Sequence, residues 1–222
     1  MHLSEAEENY IKAIWRLQKN QEAVSTNALA EELRTKPASV TDMLKRLKEK
    51  KLLHYKPYYG VQLAPEGRIL ALGIVRRHRL WEYFLSDKLG FEWDAVHDIA
   101  EQLEHVSSAE LIERLDQYLG YPRTDPHGDP IPDPSGYMET AERLCLNDLN
   151  LQQSATVTSV GDQSSSLLEL LRQKHIGIGT RLTITRRFSY DGSLELQMQH
   201  KPTTTISEQL ARNIFVRKEE TI

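Results

Sequence analysis

The chain has 222 residues, a formal net charge of −4 and 39% hydrophobic residues, which is enough for more than one small domain with a real core. Its single cysteine, Cys145, excludes an intrachain disulfide framework and any cysteine-rich zinc or iron–sulfur centre, so metal chemistry has to use His and carboxylates. No apolar run approaches the roughly 18 residues of a membrane span, and the start lacks the basic-then-apolar order of a signal peptide, so a cytoplasmic protein without a membrane partner is expected.

In chain order, Ser4 with Glu7 three residues on forms a capping-box pattern, predicting a first helix through Tyr10, Ile11, Ile14, Trp15 and Leu17. "STNALAEELRT" predicts a short helix capped by Ser25 or Thr26, and "KPASVTDMLKRLKEKKLL" a longer one with Pro37 in its first turn. Two helices joined by so short a turn are a helix-turn-helix, and "LLHYKPYYGVQLAPEG" adds two strands around a Pro57–Gly60 turn, a β-wing. Pro65 opens a long helix over about 66–89 that Gly90 stops. "VHDIAEQLEHVSS" (96–108) is the next helix, and "SSAELIERLDQYLG" another, capped at Ser107 or Ser108. "YPRTDPHGDPIPDPSG" (121–136) carries five prolines and reads as an extended linker. Beyond residue 150 the signals turn to β in "SATVTSV", "TRLTITRRF" and "SLELQMQH", with a "YDGS" turn and one helix, "SSLLELLRQ"; a small β-barrel closes so few short strands most simply. The expected class is α+β, mainly α, with a winged helix-turn-helix over 1–73, a helical domain over 74–142 that includes the linker, and a barrel over 150–222.

Charge follows these divisions. Residues 1–73 hold 12 Lys/Arg against 9 Asp/Glu, residues 74–142 hold 6 against 15, and residues 143–222 hold 10 against 8. Positions 36–60 hold seven basic residues against Asp42 and Glu49. A basic winged helix points to double-stranded DNA, with Lys36, Pro37, Ala38, Ser39, Thr41 and Asp42 at the end of the recognition helix that reaches base edges. Lys45, Lys48, Lys56 and Tyr58 or Tyr59 are then placed to meet phosphates. A winged helix used only for protein contacts is the alternative.

The acidic middle carries a second signal. On the 96–108 helix Val96, Ile99, Ala100, Leu103 and Val106 share one face, while His97, Glu101, Glu104 and His105 share the neighbouring one. His78 and Glu82, spaced i, i+4 in "RRHRLWEYF", add to a set of imidazoles and carboxylates that repel unless a cation sits among them. Basic partners look scarce, although Arg76, Arg77 and Arg79 could form ion pairs instead. Such donors suit Mn²⁺ or Fe²⁺ and also hold Co²⁺, Ni²⁺ or Zn²⁺. An enzymatic or storage role is the rival, but "HDIAEQLEH" lacks the H-E-x-x-H order of a zinc protease, and only one helix offers the Glu-x-x-His element of a ferritin-like site.

The succession of winged helix, "RRHRLWEYFL", "VHDIAEQLEHVSS" and "PHGDPIP" resembles the diphtheria toxin repressor family of metal-dependent transcriptional regulators, particularly its manganese-sensing branch, over essentially the whole chain. The resemblance implies an SH3-like final barrel, a homodimer, a palindromic operator and a divalent co-repressor. It also implies one metal site from Asn9, Glu101, Glu104 and His105 and another from His78, Glu82 and His97. Asp125, His127 and Asp162 stand where longer members add ligands from the linker and barrel. Iron-responsive members carry Cys where this chain has Glu101, so the resemblance favours manganese. Asn9 and Lys12 stand where shorter manganese sensors carry Asp and Glu.

Overall fold

The computed structural model describes residues 3–18, 22–106, 108–139, 143–161, 163–199 and 202–219. They fall into two compact units, one of Met1–Trp81, Glu101–Tyr118 and Ile131–Met138, the other of Glu82–Ala100, Leu119–Pro130 and Glu139–Ile222.

The first unit opens with α1 (Glu5–Leu17), whose Ser4 hydroxyl accepts the Glu7 N–H while the Glu7 carboxylate accepts the Ser4 N–H, the capping box read from sequence. Helix α2 (Thr26–Glu32) is capped by Ser25, and α3 (Pro37–Glu49) has proline at its first turn, where the missing N–H costs nothing. The wing is an antiparallel pair, β1 (Leu53–Lys56) with β2 (Gly60–Leu63), and Val24 bridges to Val61 on its other side. Gly60 has φ +96°, and a Cβ there would lie 2.6 Å from the Val24 carbonyl oxygen, so only glycine fits this corner. Ile11, Ile14, Leu29, Val40, Leu44, Leu47 and Val61 are fully buried and make one core from all these elements. Helix α4 (Pro65–Asp87) runs on from the wing, and α5 (Val96–Val106) and α6 (Ala109–Tyr118) follow. The border between the units crosses α4 after Trp81 and α5 after Ala100. Among the described residues no helix is long and apolar enough to cross a membrane.

The second unit is built on a six-stranded antiparallel sheet in the order β3-β8-β4-β5-β6-β7. Its strands are β3 (Leu144–Cys145), β4 (Ser154–Val160), β5 (Arg181–Arg187), β6 (Leu194–Met198), β7 (Thr204–Ile206) and β8 (Ile214–Lys218). Helix α7 (Ser165–Gln173) buries Leu168 and Leu171 in the sheet's core, with Val157, Ile184, Leu196 and Ile214. A short α8 (Glu208–Ala211) precedes β8. Strands β4, β5 and β6 match the sequence reading, whereas β3, β7 and β8 lie outside it.

The proline-rich stretch is more than an extended tether. Residues 119–130 belong to the second unit and 131–138 to the first, and Asp125 and His127 are 4% and 0% exposed. Asp125 Oδ1 accepts the backbone N–H groups of His127 (2.8 Å) and Asp129 (2.9 Å), satisfying the turn locally so that prolines can flank a buried segment. Gly128 (φ +84°) brings this turn so close to β4 that a Cβ would lie 1.9 Å from the Thr158 carbonyl oxygen.

Candidate metal centre and nucleic-acid interface

In the first unit, α1, α4 and α5 bring charged side chains together in the interior. Glu104 is fully buried, and both its oxygens face the Lys12 ammonium, at 2.9 and 2.8 Å. Its Oε2 also lies 2.7 Å from His78 Nδ1, and its backbone carbonyl accepts from Arg77. Glu101, with a side chain 40% exposed, takes a third contact from Lys12 at 2.8 Å. His105 Nδ1 lies 2.7 Å from Glu8 Oε2, and Glu8 Oε1 accepts from Arg77 at 2.8 Å. A carboxylate only accepts, so Nδ1 carries a proton, and in the neutral ring Nε2 presents its lone pair. That Nε2 is buried, has no hydrogen-bond partner and lies 3.5 Å from Glu104 Oε1. Asn9 Oδ1 is likewise buried without a partner.

These two orphaned atoms belong to the residues expected to join Glu101 and Glu104 around a cation. Glu101, Glu104 and His105 each offer a ligand atom, all within 4.8 Å of one another. These three offer one imidazole and two carboxylates, to which the expected Asn9 would add an amide oxygen; such donors fit a divalent first-row ion, and Glu8 orients His105 as carboxylates orient metal-bound imidazoles. His78 is held by Glu104 and Lys12 in this unit.

The second unit holds another cluster. Glu82, Asp125 and His127 are all buried and offer ligand atoms within 4.8 Å of one another. Glu82 Oε1 is 3.2 Å from His97 Nδ1. His127 is stacked on Trp93, and its Nε2 is 2.9 Å from the Trp93 carbonyl oxygen and must donate to it. In the neutral ring Nδ1 is then bare; it has no hydrogen-bond partner and faces Glu82 Oε2 at 3.7 Å and Asp125 Oδ1 at 4.0 Å. A lone pair aimed at two carboxylates needs a proton or a cation. Burial opposes the charged ring, but Glu82 and Asp125 outweigh it and push the His127 pKa up to about 9. The stability from that proton is complete below the ordinary value of 6.5 and lost as pH rises through about 9. A cation held on Nδ1 has to displace the same proton. Asp162 lies outside the described residues.

Basic partners are less scarce than the sequence suggests, and Lys12 is the one it does not reveal. Lys12 and Arg77 lie among these acids, while Arg76 pairs with buried Asp116 and donates to the Pro132 carbonyl oxygen. Arg76, Arg77 and Arg79 are visible as candidates in "RRHR"; Lys12 reaches Glu104 across 92 residues, and no local pattern reports that.

On the winged helix, Lys36 at the N-cap of α3 and Pro37, Ala38, Ser39, Asp42, Lys45 and Lys48 on the helix are exposed, and Thr41 is half-buried with its hydroxyl donating to the Pro37 carbonyl. Lys48 Nζ donates to the Tyr55 carbonyl at 3.2 Å, bracing α3 against the wing. Lys56 sits 4.0 Å above the Tyr59 ring, and Tyr58 at the tip is fully exposed with φ +69°.

Comparison with known proteins matches three family models in order: the N-terminal DNA-binding domain of iron-dependent repressors over residues 2–61, their metal-binding and dimerisation domain over 64–133, and the FeoA domain over 144–218. The diphtheria toxin repressor of Corynebacterium glutamicum is 34% identical over 130 residues, 59% of this chain and 57% of that protein. The chain thus spans little more than half the length of that relative. The iron-dependent repressor IdeR of Mycobacterium leprae is 26% identical over 97% of this chain and 98% of its own. A manganese-dependent transcriptional repressor, solved in complex with manganese, is 34% identical and superposes with a TM-score of 0.87 over 96% of this chain and 100% of its own.

Proposed function

Because the chain belongs to the diphtheria toxin repressor family, we propose that it is a homodimeric DNA-binding repressor of metal homeostasis, with a divalent cation, Mn²⁺ before Fe²⁺, as co-repressor. The observation that carries this reading is the cluster of Glu101, Glu104 and His105 on α5, with His105 Nε2 buried and without a hydrogen-bond partner, together with the orphaned Asn9 Oδ1 on α1. A cation bound by these four supplies the positive charge that lets α1 of the winged helix and α5 share one set of ligands. Glu8 and Arg77 hold His105 in the required tautomer. Glu82, Asp125 and His127, with His97 beside Glu82, form a second candidate site, and the oxygen donor at Glu101 favours manganese over softer metals.

Lys36, Pro37, Ala38, Ser39, Thr41 and Asp42 supply the groove-facing end, and Lys45, Lys48, Lys56 and Tyr58 the phosphate contacts. Ile69, Leu111 and Tyr118 are 57%, 43% and 67% exposed in the single chain and are the apolar surface we assign to the dimer. Fixing two winged helices in one dimer matches half-sites about 34 Å apart.

The test is a fluorescence-anisotropy titration of the DNA upstream of the protein's own gene with the full chain, in Mn²⁺, Fe²⁺, Zn²⁺ or chelator. Mn²⁺ is expected to tighten binding reversibly by about 5- to 150-fold, the usual range of such couplings. Equal affinity with and without every metal contradicts the reading.

A further inference from the structure

The three N–H donors of the Lys12 ammonium are spent inside the candidate centre. Nζ lies 2.8 Å from Glu101 Oε2, 2.9 and 2.8 Å from the two oxygens of Glu104, and 3.4 Å from His78 Nδ1. The side chain is 8% exposed and that of Glu104 is 0% exposed, so water does little to screen these charges. Glu101 and Glu104 are also the two carboxylates of the proposed ligand set. We propose that Lys12 is a resident counter-cation of this site, which a divalent ion must displace in order to bind, so that Lys12 sets the metal concentration at which the protein responds. The inference rests on the metal-centre reading above.

Two features support displacement over coexistence. Both oxygens of Glu104 are committed to the ammonium, so an ion ligated by Glu104 and Glu101 would lie beside it, +2 against +1, in a dry interior. An exit is also present. Glu101 is 40% exposed on its side chain, and the long stem of Lys12 can carry its head past that carboxylate to water. Lys12 neutralises part of the carboxylate charge in the metal-free chain, which keeps the acids in place without an ion. The exchange then replaces one positive charge with two and completes the neutralisation. Local sequence offered no sign of this, since Lys12 is an ordinary i, i+4 partner of Glu8 on α1.

The experiment is Mn²⁺ binding by calorimetry at pH 8 on the full chain, as wild type, Lys12→Met and Glu101→Ala. The binding phase lost in Glu101→Ala identifies the centre; if no phase is lost, the metal-centre reading itself falls. In Lys12→Met that same phase is expected to tighten by about tenfold or more. An affinity equal to or weaker than wild type in a folded Lys12→Met protein, with the Glu101→Ala loss intact, overturns the role of Lys12 alone. Should Lys12→Met not fold, the wild-type chain with ¹⁵N-labelled lysine gives the same answer. The hydrogen-bonded Lys12 NH₃⁺ resonance, assigned by its absence from Lys12→Arg, is expected to vanish as diamagnetic Zn²⁺ saturates the centre. Its persistence at saturation overturns the proposal.

Discussion

Replacing Glu101 by alanine is expected to abolish the metal response of operator binding, taking a stimulation of about 5- to 150-fold to none. The substitution is informative because the fold should survive it. Glu101 is the most exposed of the three ligands proposed on α5, and Lys12 keeps both contacts to Glu104 when its contact to Glu101 is removed. Weak, salt-sensitive binding through α3 and the wing should remain, since those lysines are untouched. The same anisotropy titration checks it. A full Mn²⁺ response in folded Glu101→Ala would remove this carboxylate from the site.

Glu104→Ala has the opposite balance, with a large effect on the metal-free fold. Glu104 is the fully buried partner of Lys12 and of His78, and its loss strands an ammonium with only half-exposed Glu101 to pair with. Breaking a buried pair from one side costs about 3–5 kcal/mol. Chemical denaturation of the metal-free chain should show a loss of that size, and Lys12→Met combined with Glu104→Ala should recover part of it. A loss under about 1 kcal/mol would mean that water reaches these groups and that the pair behaves like a surface salt bridge.

Much of the architecture is written in local patterns. Ser4 with Glu7, Ser25, Pro37 and Pro65 mark helix starts, and the Pro57–Gly60 turn separates the wing strands. Strands β3 and β7 are two and three residues long, too short for alternation to mark them, and β8 gains its place between β3 and β4 through long-range pairing. The proline run of 121–136 looks extended because proline bars helix and central strand, yet Asp125 and Gly128 fold part of it into a buried turn. At the candidate metal centre, helical periodicity puts Glu101, Glu104 and His105 together, since they share one helix. Their counterparts Lys12, Glu8 and Arg77 come from other helices, and His105 Nε2 is left without a hydrogen-bond partner while Glu8 takes the other nitrogen. Glu104, placed beside the core stripe by periodicity, is completely buried, because Lys12 compensates its charge and His78 adds a hydrogen bond.

The central claim is that one divalent ion joins α1 to α5, and anomalous scattering from crystals grown with Mn²⁺ tests it most directly. The expected result is a manganese peak in each protomer within about 2.0–2.4 Å of Asn9 Oδ1, His105 Nε2 and oxygens of Glu101 and Glu104, with Lys12 withdrawn. Manganese bound only elsewhere, with Lys12 still on Glu104 and the Asn9 and His105 atoms still without a partner, would contradict it.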